Sequence, residues 1–412
     1  MNDEMVIPHP TGDETTAEAL VSAYRAEDFL FSSPTRALLA GDWLDTRSPR
    51  GDQGEQALAE LLEQGRRAGI ANPRVVGALP FADDRHGRLL LPRRCTERSA
   101  LTHWAAQQTE PALDAKARRV TPHPDRAGYC AGVEAALAEF RAGRLDKVVL
   151  ARTLEVETDG ALDPTLLLRR LLHRNPEAYV FATPLEARQS PAVFLGASPE
   201  LMVRRIGRRV MVNPLAGSAA RRRDPEEDRL AAAALLHSEK DLREHALVID
   251  AVVAALRPFC SQLEVPEGPT LLSTGKLWHL STELSGELIE PAPSSLAIAR
   301  ALHPTPAVCG HPNAAAFAAI RRLEPFEREL FSGLVGWCDA SGDGEWALSL
   351  RCAELRGEHL TLYAGAGLVE GSTPASEFAE TGTKLGTMLA ALGLDDSLGQ
   401  ASTTSSTPGT DA

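Results

Sequence analysis

The chain has 412 residues, enough for a large core, and its 43 Lys+Arg against 56 Asp+Glu leave a net charge of −13. With no long basic run beyond Arg221–Asp224, this balance argues against nucleic acid as a partner and requires a few focused cations wherever an anionic small molecule binds. Apolar runs stop well short of the roughly 18 to 20 residues that cross a bilayer, and the N-terminus has no basic and apolar leader pattern, so a cytoplasmic protein without membrane association is expected.

Residues 1–17 and 398–412 are polar and poor in large apolar groups, which predicts disordered tails. No Pro/Ser/Gly-rich linker divides the stretch between them, so residues 18–397 are expected to form one domain. In chain order, helical periodicity marks 55–69, 128–144 and a long run over 224–256. Alternating or apolar runs predict strands at 88–92, 146–157, 179–184, 192–205 and 209–217, followed by a meander over 345–352 and 360–367. No repeat of about 20 to 50 residues is present. Strand hairpins mixed with long helices, without regular βαβ alternation, predict an α+β fold.

Among the 43 basic residues only five are Lys: Lys116, Lys147, Lys240, Lys276 and Lys384. Arg keeps its proton near neutrality whereas a desolvated Lys can release it, so a lysine in such a chain marks a place where Arg would fail. In DKVVLARTLEVE, Lys147 shares a strand face with Val149, Ala151 and Thr153. Burial there disfavours the charged form, as a general base requires; taken alone, the residue equally suits a strand edge guarded against aggregation. Glu200 follows a Gly/Ser/Pro turn where a strand begins, and burial would make it a general acid. Gly217 and Ser218 offer small side chains and backbone N–H groups to an anion.

The run SEKDLREH is charged, yet alanines and valines flank it, so its carboxylates are expected to be paired or metal-bound if buried. Period two over Glu345–Cys352 places Arg351 beside Glu345, Ala347 and Ser349 and opposite Trp346, Leu348, Leu350 and Cys352. The planar fork of Arg351 suits a carboxylate. Gly365 and Gly367 weaken a strand unless something approaches closely. Glu377, Glu380 and Lys384 then share one helix face, and carboxylates suit a hard cation such as Mg²⁺, which takes only one or two of them. His279 lies among apolar neighbours. The six cysteines have no CxxC or Cys/His spacing and are expected to be buried thiols. No GxxxxGK[ST] or strand-linked GxGxxG supports nucleotide binding.

Taken together, DKVVLAR, GASPEL, PLAGSAARR, SEKDLREH, LWHLST, HPTPAVCG, EPFERELFSGLVGWCD, GEWALSLRCAEL, LYAGAGLV and ETGTKL resemble the chorismate-binding enzyme family, in register from about Gly128 to Leu392. Within it they are most similar to the isochorismate synthases of siderophore biosynthesis. The resemblance implies a single α+β domain of two large, mostly antiparallel sheets with helices outside, working as a monomer on chorismate with Mg²⁺. It implies that Lys147 activates water for attack at C2, that Glu200 protonates the departing C4 hydroxyl, and that Glu244 and Glu380 bind Mg²⁺. Gly217, Ser218, His279, Ala307, Arg351, Tyr363, Gly365 and Lys384 match positions that line the substrate. Ala216 stands where aminodeoxychorismate-forming members carry Lys. Gly382 stands where salicylate synthases often carry Cys, which favours stopping at isochorismate. Salicylate synthesis and a non-catalytic metabolite sensor remain the alternatives.

Overall fold

The computed structural model describes residues 14–113, 116–186, 192–401 and 405–406. Eighteen described strands join into one hydrogen-bonded, antiparallel network that curls over on itself, and three more form a small second sheet. The two large layers expected from the resemblance are thus continuous rather than separate. Long strands such as Arg36–Arg47 carry the connection, and a register shift between Trp43 and Asp45 bends that strand.

Alternating burial sorts the apolar residues into three cores. A central one is almost wholly strand-borne and includes Phe29, Phe31, Phe181, Phe194, Trp337 and Tyr363. In the two others, helices cover sheet faces: Leu58, Val133 and Val248 belong to one, and Leu168, Leu171 and Leu389 to the other. The strand Lys147–Thr158 runs through the middle. It pairs along its length with His359–Val369, with Val149 opposite Gly367 and Ala151 opposite Gly365. The small sheet, Leu215–Ala220 with Leu277–Ser281 and Thr270–Ser273, sets Ser218 opposite His279. Helices Glu239–Leu256 and Pro374–Ala391 pack beside these strands.

Several expectations change. The run over 224–256 is two helices, Pro225–Leu236 and Glu239–Leu256, because the Ser238 hydroxyl accepts the Asp241 N–H and starts a new helix. The 345–352 strand is interrupted: Gly344–Leu348 and Cys352–Arg356 flank a corner where Arg351 has φ +48. The corner reverses the alternation, so Cys352 joins Ala347 in the central core and not Trp346. The run 192–205 likewise breaks at Pro199–Glu200 between Ala192–Ser198 and Leu201–Ile206.

Described structure extends into both expected tails. A helix begins at Glu14, and a 3-10 turn, Asp396–Gln400, is held by Arg152, whose Nη2 donates to the Gly399 carbonyl at 2.5 Å. Ser405–Ser406 adds two residues to the edge of Ala117–His123. The remaining tail positions lie outside the described residues. All six cysteines are free, but only Cys309, Cys338 and Cys352 are buried and Cys95 is exposed. Among the described residues no helix is long and apolar enough to cross a membrane.

Candidate active site

A cavity enclosing about 640 Å³, its open mouth included, lies where the small sheet meets the Lys147–Thr158 and His359–Val369 strands. Eleven of the twelve candidate residues line it: Glu200, Gly217, Ser218, Glu244, His279, Ala307, Arg351, Tyr363, Gly365, Glu380 and Lys384. The twelfth, Lys147, lies fully buried just behind the wall, with its Nζ 2.9 Å from Glu244 Oε1. That contact is at ion-pair distance without hydrogen-bond alignment, leaving Nζ with no hydrogen-bond partner. Gly367 makes the approach possible, since a Cβ there would stand 2.3 Å from Glu244 Oε1 and 3.3 Å from Lys147 Cε.

Three of the five lysines face carboxylates here. Besides Lys147 with Glu244, Lys240 Nζ donates to Glu377 Oε1 at 3.2 Å, and Lys384 Nζ lies 2.6 Å from Glu380 Oε1 while donating to the Gly365 carbonyl at 2.9 Å. Burial pushes the Glu380 carboxyl up, but Lys384 outweighs it with help from Lys240 and Ser218 and holds it below the usual range. Burial and then the neighbouring Glu380 charge push Glu377 up, and burial raises Asp241 as well.

Glu200 has no such partner. Its Oε1 accepts only the Leu215 N–H at 3.3 Å, and burial raises its carboxyl from 4.5 to about 7 against the lowering effects of that bond, Lys147, Arg351 and Lys384. Near neutrality it therefore carries a transferable proton. Arg351 is lowered to about 10 by burial and stays cationic. Its left-handed backbone costs about 1 to 3 kcal/mol, strain of the kind found at functional sites. Ser332, also on the wall, shares that conformation at φ +60, and the Ser332 N–H binds the Ser349 carbonyl at 3.0 Å, tying the two corners together.

Two histidines support the wall in neutral form. Burial lowers His245 to about 4; its Nδ1–H donates to the Ala216 carbonyl at 3.2 Å and its Nε2 accepts from the Thr282 hydroxyl at 2.7 Å. Burial, then Arg351 and Lys384, hold His279 well below its usual value. Its ring bonds the Gly217 backbone, while Nε2 is buried with no partner and is free to meet a ligand. Gly217 is required at φ +77, with Asp241 Cβ 3.0 Å from where its own Cβ would be.

The acidic set fits a small hard cation. Among the described residues no three acidic, histidine or cysteine side chains converge on one point; a cation held here would take one or two carboxylates, as Mg²⁺ does when water completes its shell. Glu244 and Glu380 are the wall residues, and Glu377 Oε2 is buried without a partner behind them. Glu377 and Asp241 were not assigned from the sequence; their signal was i,i+3 spacing to Glu380 and Glu244.

Tyr363, expected to line the substrate, and Gly382, read as a specificity mark, take different roles. Tyr363 stacks on Phe331 with centroids 5.2 Å apart and forms an aromatic wall. Gly382 faces away from the cavity: a Cβ there would lie 2.0 Å from Gln400 Nε2 and 2.8 Å from the Gly399 carbonyl. Its smallness serves the packing of the C-terminal turn against the helix.

The family model described as "Chorismate binding enzyme" matches residues 78–393. The isochorismate synthase DhbC of Bacillus subtilis is 44% identical over 93% of this chain and 98% of its own length. Isochorismate synthase EntC of Escherichia coli is 40% identical over 89% of this chain and 95% of its own. The crystal structure of the putative 2,3-dihydroxybenzoate-specific isochorismate synthase DhbC from Bacillus anthracis superposes with a TM-score of 0.87 at 44% identity, covering 92% of this chain and all of that one. A cavity of focused cations around a proton-bearing glutamate, on a scaffold shared with these relatives nearly end to end, makes the chain a member of the chorismate-binding enzyme family.

Proposed function

We propose that this chain is a Mg²⁺-dependent isochorismate synthase, adding water at C2 of chorismate and expelling the C4 hydroxyl. The observation that carries the reading is Glu200, a buried carboxyl raised to about 7 on the wall of a cavity that also presents Arg351 and Lys384. Chorismate carries two carboxylates, and this acidic chain meets one of them with the Arg351 fork and the Lys384 ammonium. Glu244 and Glu380 would hold Mg²⁺, which supplies the positive charge for the other carboxylate.

The amine of Lys147 takes a proton from water as its oxygen bonds to C2. Both conjugated ring double bonds shift, to C1=C6 and C4=C5, and the C4–O bond breaks. Glu200 gives its proton to the departing hydroxyl, which leaves as water. One water enters and one leaves, and the two side chains end with exchanged protonation states. His279 Nε2, neutral and without a partner, accepts a hydrogen bond from the substrate at the same wall.

The names of the relatives agree with this reaction, and the 2,3-dihydroxybenzoate specificity ascribed to the Bacillus anthracis relative favours a product destined for catecholate or salicylate siderophores. The same reading takes the enzyme to be a monomer acting in the cytoplasm. The test is the product formed from chorismate by the purified protein, with and without Mg²⁺ and free of ammonia. Isochorismate formed only with the metal is expected; salicylate with pyruvate as the sole product, or an aminated ring, would overturn the reading.

A further inference from the structure

The strand carrying Lys147 is fully covered on one edge, where His359–Val369 pairs with residues 147–157. Its other edge is covered only at the ends. Ala117–His123 pairs with it from Thr153 to Thr158, and Gly310–His311 pairs with Lys147 and Val148. The Val149 N–H still reaches the Cys309 carbonyl at 2.8 Å, and beyond it Leu150–Arg152 meets no neighbouring strand on that side. A gap in the middle of a buried sheet leaves backbone groups that must find partners elsewhere.

Two side chains close this gap. Arg328 Nη2 donates to the Val149 carbonyl at 2.8 Å, and Glu324 Oε1 accepts the Ala151 N–H at 2.8 Å. The two are bound to each other by Arg328 Nε to Glu324 Oε2 at 2.9 Å and Nη2 to Oε1 at 2.5 Å. The remaining arm of the fork, Nη1, donates to the Val308 carbonyl at 2.8 Å. Each side chain is 3% exposed. The guanidinium lies over Phe81 at 4.4 Å and Phe331 at 5.7 Å.

A buried ion pair is weak support for stability, because apolar residues of similar volume often serve as well. Apolar residues cannot, however, bond three backbone groups on two segments. Val149 and Val308 both line the cavity, and Phe331 is the ring on which Tyr363 stacks. The pair thus touches the wall from three directions while adding no net charge beside a dianionic substrate. Only a planar fork reaches Val149, Val308 and Glu324 at once; an ammonium is a single point.

We infer that Glu324 and Arg328 are positioning residues, a side-chain substitute for the missing length of strand that holds Lys147 in register with the cavity wall at Ala307 and Val308. This rests on the isochorismate synthase reading above. Neither residue was singled out from the sequence, where EPFERELF marked only the family.

Arg328→Lys keeps the charge and loses the fork; Glu324→Gln keeps an acceptor and loses the charge. For Arg328→Lys, kcat with chorismate should fall by about ten- to a hundredfold, as expected when a reacting group is misplaced by a fraction of an ångström to an ångström. KM should change less than about threefold, because the carboxylate-binding cations are untouched. Hydrogen exchange at the Ala151 amide should accelerate in the folded variant. Glu324→Gln should show the same pattern with a smaller fall in kcat, and it decides the matter if Arg328→Lys does not fold. Faster exchange with unchanged kcat, or a raised KM with unchanged kcat, would overturn the proposal. Wild-type protein in the same assay separates the two readings: if it forms no isochorismate the proposed function fails, whereas an active wild type with fully active variants sinks the positioning role alone.

Discussion

Glu200 and Lys147 end with opposite changes of protonation, so the reaction needs one acid and one base at the same pH. For Glu200 the requirement is met by burial, which raises its carboxyl to about 7. The acid is lost as pH rises through that value, so kcat/KM should decline on the alkaline side of about 7. Glu200→Gln should remove that limb and cut kcat by about 10² to 10⁴, the usual contribution of a positioned acid, with KM little changed. Persistence of the same alkaline limb in the variant would assign it to another group. The type of residue and its place after a turn were visible in the sequence. Its burial was not, because the covering groups, Leu215 and the Leu348 N–H that binds its carbonyl at 3.1 Å, come from other strands.

At the scale of elements, the acid-bearing helices are held in place by short-range devices. Ser238 caps Glu239–Leu256 two turns before Glu244, and Arg152 ties the Asp396–Gln400 turn to Pro374–Ala391 through Thr381 Oγ1 at 2.8 Å and the Gly399 carbonyl. Gly382→Ala should therefore destabilise the protein by about 1 to 3 kcal/mol, as overpacking does, and leave isochorismate as the product. A lower melting temperature with no salicylate is the expected result; salicylate from the variant would return Gly382 to the site. Glu244→Ala and Glu380→Ala should each raise the Mg²⁺ concentration needed for half-maximal activity, by at least about tenfold where a carboxylate ligand is lost. Unchanged titrations in both would remove them as ligands. Spacing placed Glu377, Glu380 and Lys384 on one helix face, but it could not tell a solvated face from a buried one. Packing beside the His359–Val369 and Lys147–Thr158 strands settled it.

Across the whole molecule, buried titratable groups pull stability in opposite directions. Burial depresses His245 from 6.5 to about 4, so the stability it contributes is full above pH 6.5 and is lost as pH falls toward 4. His279 acts in the same sense. Glu200, raised from 4.5 to about 7, contributes stability that is present below pH 4.5 and lost as pH rises to 7, a swing of about 3 kcal/mol at 1.36 kcal/mol per unit. Wild type should therefore lose less stability than Glu200→Gln between pH 6.5 and 4.5. Urea midpoints of both at the two pH values measure this, and parallel slopes would contradict it. By itself the sequence determined the family, the α+β class and eleven residues of the cavity wall, because ordered motifs report a shared site, and alternation and helical spacing are local properties. Tertiary structure alone decided the rest. The layers became one curled sheet, Arg351 sits at a left-handed corner, three lysines met three carboxylates, and Glu324 with Arg328 filled a gap between strands. Apart from the Lys384–Glu380 pair, which is i,i+4 within one helix, each of these depends on segments far apart in the chain approaching within hydrogen-bond distance, and no local pattern encodes that approach.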